Sequence, residues 1–202
     1  DPTEKYRPAP GGVSIGHIDI TAGTLGCLVR RNGEQVILSN NHVLANSNAA
    51  DNGDPILQPG PIDGGRNPAD QIATLLDYVP IRFVGEQPTG CSGGRAVAGF
   101  LNAFVKLYGS KTRFRAVQPQ QEENRVDAAV ARPLNPGDVV DEILNIGTVA
   151  GTARANLGDP ITKMGRTTGL TLGAVDQIEV TVDVSFGPDK TARFVQQIMA
   201  GA

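Results

Sequence analysis

The stretch TLGCLVRRNGEQVILSNNHVL, residues 24 to 44, sets two short apolar runs on either side of an Asn-Gly pair. Asn and Gly reach positive φ at the least cost, so Asn32-Gly33 predicts a two-residue hairpin turn that fixes the register of both flanking strands. A lone hairpin is marginal in water, so this one must belong to a larger sheet. The rest of the chain supplies the material: Gly 25 is about an eighth of the 202 residues, against an average near 7%, and Trp is absent. Long charge-rich helical runs are missing, and the expectation is an all-β, turn-rich fold.

Along the chain, residues 1 to 12, DPTEKYRPAPGG, read as an extended N-terminal arm. GVSIGHIDI, GTLGCLVRR and EQVILSNNHVL then read as strands, and residues 46 to 71 as loop around a short apolar PILQPG before the strand candidate IATLLDYVPIRF. One segment breaks the pattern. Val97, Phe100, Leu101, Phe104, Val105 and Tyr108 recur at three and four, the helical period, and Gly109 is a plausible stop, so a helix is expected near 95–108. NRVDAAVARPL is a short apolar run interrupted by one acid, and PGDVVDEILNIG a Pro/Asp-rich connection. After it, β-branched residues alternate with Gly up to a final strand-like TARFVQQIM.

Several function classes are disfavoured. A net charge of −3 with scattered Lys and Arg gives no electrostatic footprint for nucleic acid. No apolar run approaches the roughly 18 residues of a membrane span, and the first residues lack the apolar segment and small-residue cleavage site of a signal peptide. No CxxC occurs, and His17 with Asp19 falls far short of a metal-ligand set, so no metal is expected. Cys27 and Cys91 are open to two readings, one disulfide or two buried free thiols.

The chain holds two histidines, His17 and His42, so imidazole chemistry near neutral pH has little choice. A lone histidine is most often a satisfied structural residue. His42, however, follows the end of a predicted strand, where the backbone is held and the ring can be presented, which suits a general base. Such a base needs a carboxylate to fix its tautomer and stabilise the imidazolium. Asp127 fits: RVDAAVA sets one acid among small apolar residues, where an unpaired charge would be expensive to bury. The alternative for Asp127 is a strand start facing solvent.

TLGCLVRRNGEQVILSNNHVLA, NRVDAAVARPL and ITKMGRTTGLTLGAV, in this order and at these distances, resemble a bacterial trypsin-like (chymotrypsin-fold) serine peptidase over roughly residues 11 to 202. The resemblance implies a double β-barrel with the site in the cleft between barrels, His42 as general base and Asp127 as its orienting carboxylate. Residues 13–135 would then be the first barrel with its inserted helix, and 136–202 a linker and the first part of a second barrel, incomplete in this chain. It implies a peptide or protein substrate, no cofactor, and GRTTGLTLG as an early second-barrel hairpin near the specificity pocket.

The sequence departs from the family's pattern in one respect. The Gly-Asp-Ser-Gly motif that carries the nucleophile is absent, and Ser185, the one serine after Asp127, sits in the expected hairpin turn DVSFGPDK. GCSGG at 90–94 matches the G-x-S-x-G elbow, but that fold needs its histidine after the serine, and none follows residue 42. Cys91 as a thiolate partner of His42 rests on nothing but the pair's existence. The expectation is a trypsin-like serine endopeptidase, inactive as this chain alone, whose serine comes from beyond residue 202 or from a C-terminal companion chain, with cleavage by the enzyme itself as one origin of two chains. The rival is a catalytically inactive peptidase-like binding or scaffold module. Compartment, cytoplasm or secreted, stays open.

Overall fold

The computed structural model describes residues 1–84, 100, 102, 123–188 and 190–201. Apart from positions 100 and 102, the helix expected near 95–108 lies outside the described residues, as do Cys91 and the GCSGG segment. Cys27 carries a free thiol.

Strands follow in the order β1 (Ala9–Gly11), β2 (Ser14–His17), β3 (Gly23–Thr24), β4 (Cys27–Arg31) and β5 (Glu34–Ser39), after which a single helical turn, α1 (Asn41–Leu44), carries His42. Next come β6 (Pro55–Leu57), β7 (Gln71–Tyr78), β8 (Glu123–Asn124), β9 (Ala129–Pro133), β10 (Val139–Ile143), β11 (Pro160–Gly165), β12 (Gly169–Ser185) and β13 (Thr191–Gly201). The β4–β5 hairpin pairs Arg31 with Glu34 across Asn32 and Gly33, at φ 52° and 86°, the left-handed pair the sequence calls for.

The first sheet runs β3-β2-β6-β7-β9-β5-β4. Its two end strands are halves of one stretch of chain, separated by Leu25 and Gly26, so one bent stretch borders both ends of the sheet and curls it into a barrel. Both linking residues are tied in: Leu25 N–H donates to Val13 O, and Gly26 N–H to Leu38 O at 3.0 Å. Inside lie Val13, Ile15, Leu25, Ile37, Ile56 and Ile72, all fully buried. The sequence's Pro/Asp-rich connection at 136–147 contains a strand: β10 pairs in parallel with β1, because Val139 has the first barrel's core to enter, and this pairing holds residues 9–11 of the arm.

A second, curled sheet runs β11-β12-β13-β8. Its long ribbon, β12 with β13, shifts register three times, and Glu179 and Gln196 take left-handed φ at these irregularities, which bends the ribbon. The segment after β7 packs on this ribbon: Ile81 and Phe83 are buried against Ala192 and Phe194, with Val182 and Phe186 at the margin. Asn124 pins the crossing, accepting from Arg82 N–H and donating to Arg82 O and Arg193 O.

The GRTTG turn between β11 and β12 docks on the first barrel. Arg166 clasps Asp63 with two nitrogens, Nε–Oδ2 at 2.8 Å and Nη2–Oδ1 at 2.5 Å, and its N–H donates to Thr24 Oγ1. Ser14 Oγ donates to the same carboxylate and accepts from Gly60 N–H. Arg166, with help from Ser14, holds the Asp63 carboxyl below its ordinary pKa. A group depressed in this way stabilises the fold above the unfolded pKa of about 3.9, and that stability is lost as pH falls through the folded value. With Asp63 8% and Arg166 23% exposed, Asp63→Asn should cost about 2 kcal/mol at pH 7, between the surface and fully buried ranges. Denaturant unfolding should show the gap from wild type closing as pH drops below about 4; a gap unchanged at pH 3 would contradict this assignment.

Candidate active site

His42 lies on α1, one residue after the turn's start, and Asp127 lies two residues before β9. His42 Nδ1 and Asp127 Oδ2 are 2.5 Å apart. The other carboxylate oxygen, Oδ1, accepts from Asn41 N–H at 2.6 Å and His42 N–H at 3.3 Å. Asp127 thus supplies, from 85 residues away, the cap that Asn40 does not give: Asn40 makes no side-chain cap bond and instead donates from Nδ2 to Asp127 O at 3.0 Å.

With both oxygens of Asp127 accepting, Nδ1 of His42 carries the proton, and Nε2 is left as the basic nitrogen. The His42 side chain is 46% exposed and Asp127 13%. No hydroxyl or thiol among the described residues bonds to Nε2. The ring opens on a cleft of about 870 Å³ between the barrel and the β12–β13 ribbon. The lining is mixed on both sides: Asp19 stands beside Ile20 and Arg125 beside Val126, and the ribbon brings Gln197 as well as Phe186. Phe186 meets the imidazole edge-on, at 5.9 Å between centroids, and leans on Phe83 at 5.6 Å. Ser185 also lines the cleft, but it closes strand β12 and does not belong to the turn expected there, and its Oγ is turned to Gly187 O at 3.4 Å.

Behind His42 lies a network that the sequence reading did not find. Asn41 is fully buried; its Nδ2 donates to Asn48 Oδ1 and to Val79 O, each at 2.8 Å, and its Oδ1 accepts from Asn48 N–H. Asn48 reaches on to residue 81, donating to Ile81 O at 2.7 Å and accepting from Ile81 N–H at 2.9 Å. Between the two asparagines, Asn46, Ser47 and Asn48 run at φ 46°, 53° and 75°. Three successive left-handed residues without a glycine cost on the order of 1 kcal/mol each and persist where surroundings over-determine them. The available signal was the density of asparagine in NNHVLANSN, the residue most tolerant of that conformation. Gly23 completes the support, since a Cβ there would fall 2.2 Å from Val43 Cγ2 on α1.

His17 also has an aspartate, but a different chemistry. Its Nδ1 accepts from Asp19 N–H at 3.1 Å, which leaves Nε2–H to donate to Asp54 Oδ2 at 3.1 Å, and it is 2% exposed. Both nitrogens are committed, so this pair braces the loop that brings Asp19 and Ile20 to the cleft.

No protein family model and no curated protein matches the chain. Solved structures do match. A glutamic acid-specific serine protease, described as using a histidine triad in substrate binding, aligns with a TM-score of 0.52 at 13% identity, over 94% of this chain and 71% of that one. Thermobifida fusca Protease A (TM-score 0.49, 14% identity, 94% and 68% covered) and alpha-lytic protease homolog N4 (0.44, 18%, 92% and 68%) also align. At these identities the likeness concerns the fold. The chain has the chymotrypsin-like double β-barrel fold, the fold it shares with the glutamic acid-specific serine protease.

Asp127→Asn tests the dyad. The backbone N–H groups of Asn41 and His42 demand an oxygen at the Oδ1 position, so the new amide nitrogen must face Nδ1 and donate to it. Imidazole ¹⁵N shifts should then invert, with Nε2 protonated in the variant and Nδ1 in the wild type; unchanged shifts would overturn the proton assignment.

Proposed function

We propose that this chain forms most of a trypsin-like serine endopeptidase, in which His42 is the general base and Asp127 the carboxylate that orients it. The observation that carries this reading is the Nδ1–Asp127 bond, in a protease fold, with Nε2 facing the cleft. The nucleophilic serine is proposed to come from outside these 202 residues, as a continuation of the chain or as a companion chain. Residues 13–135 would be the first barrel, and 136–202 the linker and the start of the second.

In the assembled enzyme, Nε2 accepts the serine Oγ proton as oxygen attacks the scissile carbonyl, and the imidazolium is stabilised by Asp127. The same proton then passes to the leaving amine, whose C–N bond breaks to give an acyl-enzyme. Water, deprotonated by Nε2, adds to the ester and releases the acid. No step calls for a cofactor. The mixed polar and apolar lining suits a peptide, whose backbone is polar and whose side chains vary. Glutamate specificity is a property of that neighbour and is not carried over to this chain.

A fluorophosphonate probe applied to the native preparation, including any polypeptide that co-purifies, tests the reading. Serine labelling is expected, with His42→Ala lowering its rate by about 10⁴-fold or more. Denaturing mass spectrometry locates the labelled serine on the same or a second chain. No labelling of any polypeptide would sink the enzyme and favour the inactive binding module.

A further inference from the structure

We infer that the Asn41–Asn48 amide pair is the positioning device for His42. This rests on the dyad reading above and adds residues to it. The Asp127 bonds fix the imidazole from the front, yet the ring is nearly half exposed and α1 is one turn long, too short to hold its own geometry. What holds the turn from behind is the reciprocal bonding of Asn41 and Asn48, with Asn41 also on Val79 O and Asn48 on both backbone groups of Ile81.

The two amides leave no spare polar atom on Asn41, itself fully buried: Nδ2 has two acceptors and Oδ1 one donor. A fully satisfied buried network has one arrangement and forbids the half-bonded ones. The same bonds lock Asn46 and Ser47 left-handed, so that both line the cleft beside the ring. The residues after β7 run on into Phe83, which meets Phe186, and Phe186 meets His42. The clamp therefore anchors His42 to the segment that also sets the aromatic contact on its open face.

Asn48→Gly is the informative variant. Glycine adopts φ 75° without strain, so the turn keeps its preferred backbone while the three bonds of the Asn48 side chain, to Asn41 Nδ2 and to both backbone groups of Ile81, are removed. With His42 and His17 the only imidazoles in these residues, their ring protons are separable by NMR. The expected result is at least tenfold faster exchange of the His42 Nδ1 proton with water, His17 unchanged, and a native-like fold. In the assembled enzyme, kcat should fall tenfold or more with KM little changed. Asn41→Asp, which keeps the Asn48 N–H acceptor and loses both donors, should act in the same direction. An Nδ1 proton exchanging at the wild-type rate in a folded Asn48→Gly would reduce the clamp to scaffolding and overturn the inference. Should both variants fail to fold, hydrogen exchange on the unmodified protein decides: Asn48 N–H and His42 Nδ1–H must open together, and independent opening overturns it. Failure of the dyad itself reads differently, as a wild-type protein with no Asp127-bonded Nδ1 proton at all.

Discussion

The carboxylate of Asp127 is the one group on which the arrangement of the site depends. One oxygen caps the turn that carries His42 and the other orients its ring, so position and protonation are set together. The two residues meet because β5 and β9 are antiparallel neighbours with Ser39 opposite Ala129. His42 is three residues beyond one end of that pair and Asp127 two residues before the other, so both leave the barrel at the same rim. Register therefore closes the long loop between them, and the site needs no freedom of its own.

The second sheet contributes differently. Its ribbon presents Phe186 to His42 at the rim of the first barrel, while Arg166 on Asp63 fixes where the β11–β12 hairpin stands. An ion pair is a weak source of net stability but a strong source of orientation, since misplacing either partner strands a charge that is largely removed from water. The pair with Ser14 and Thr24 thus sets the relation of sheet to barrel, and the small aromatic cluster at Phe83 and Phe194 fills what remains.

The local strand pattern was legible because it depends on period and turn chemistry: Asn32-Gly33 and the strand ending before His42 stand where the residues alone put them, while Ser185, read as part of a turn, closes strand β12 because it pairs with Thr191. Barrel closure through Leu25 and Gly26 was not, because two short strands separated by a glycine look the same whether they share a neighbour or belong to different ones. The strand β10 was read as a connection, since Pro136, Gly137 and Asp138 dominate the segment while its partner β1 lies about 130 residues upstream. His42 and Asp127 could be proposed as a pair from residue type and environment. Asn41 and Asn48 could not, since an amide acts through whichever groups the fold places around it, and Val79 and Ile81 are more than thirty residues away.

Both histidines of this chain sit beside an aspartate, and the sequence favours His42 by its place after a predicted strand and by the peptidase resemblance. Geometry ranks them by counting nitrogens. An imidazole has two, and a base must keep one unbound, facing the space where the proton is to be collected. At His17 the backbone N–H of Asp19 takes the lone pair and Asp54 takes the proton, so further protonation would break a bond inside the barrel. At His42 the carboxylate takes the proton on Nδ1, and the lone pair on Nε2 is left to the cleft. Burial follows the same division, 2% exposed against 46%. The same residue pair therefore makes a brace in one place and, in the proposed enzyme, a base in the other, and the difference is which nitrogen the backbone has already taken.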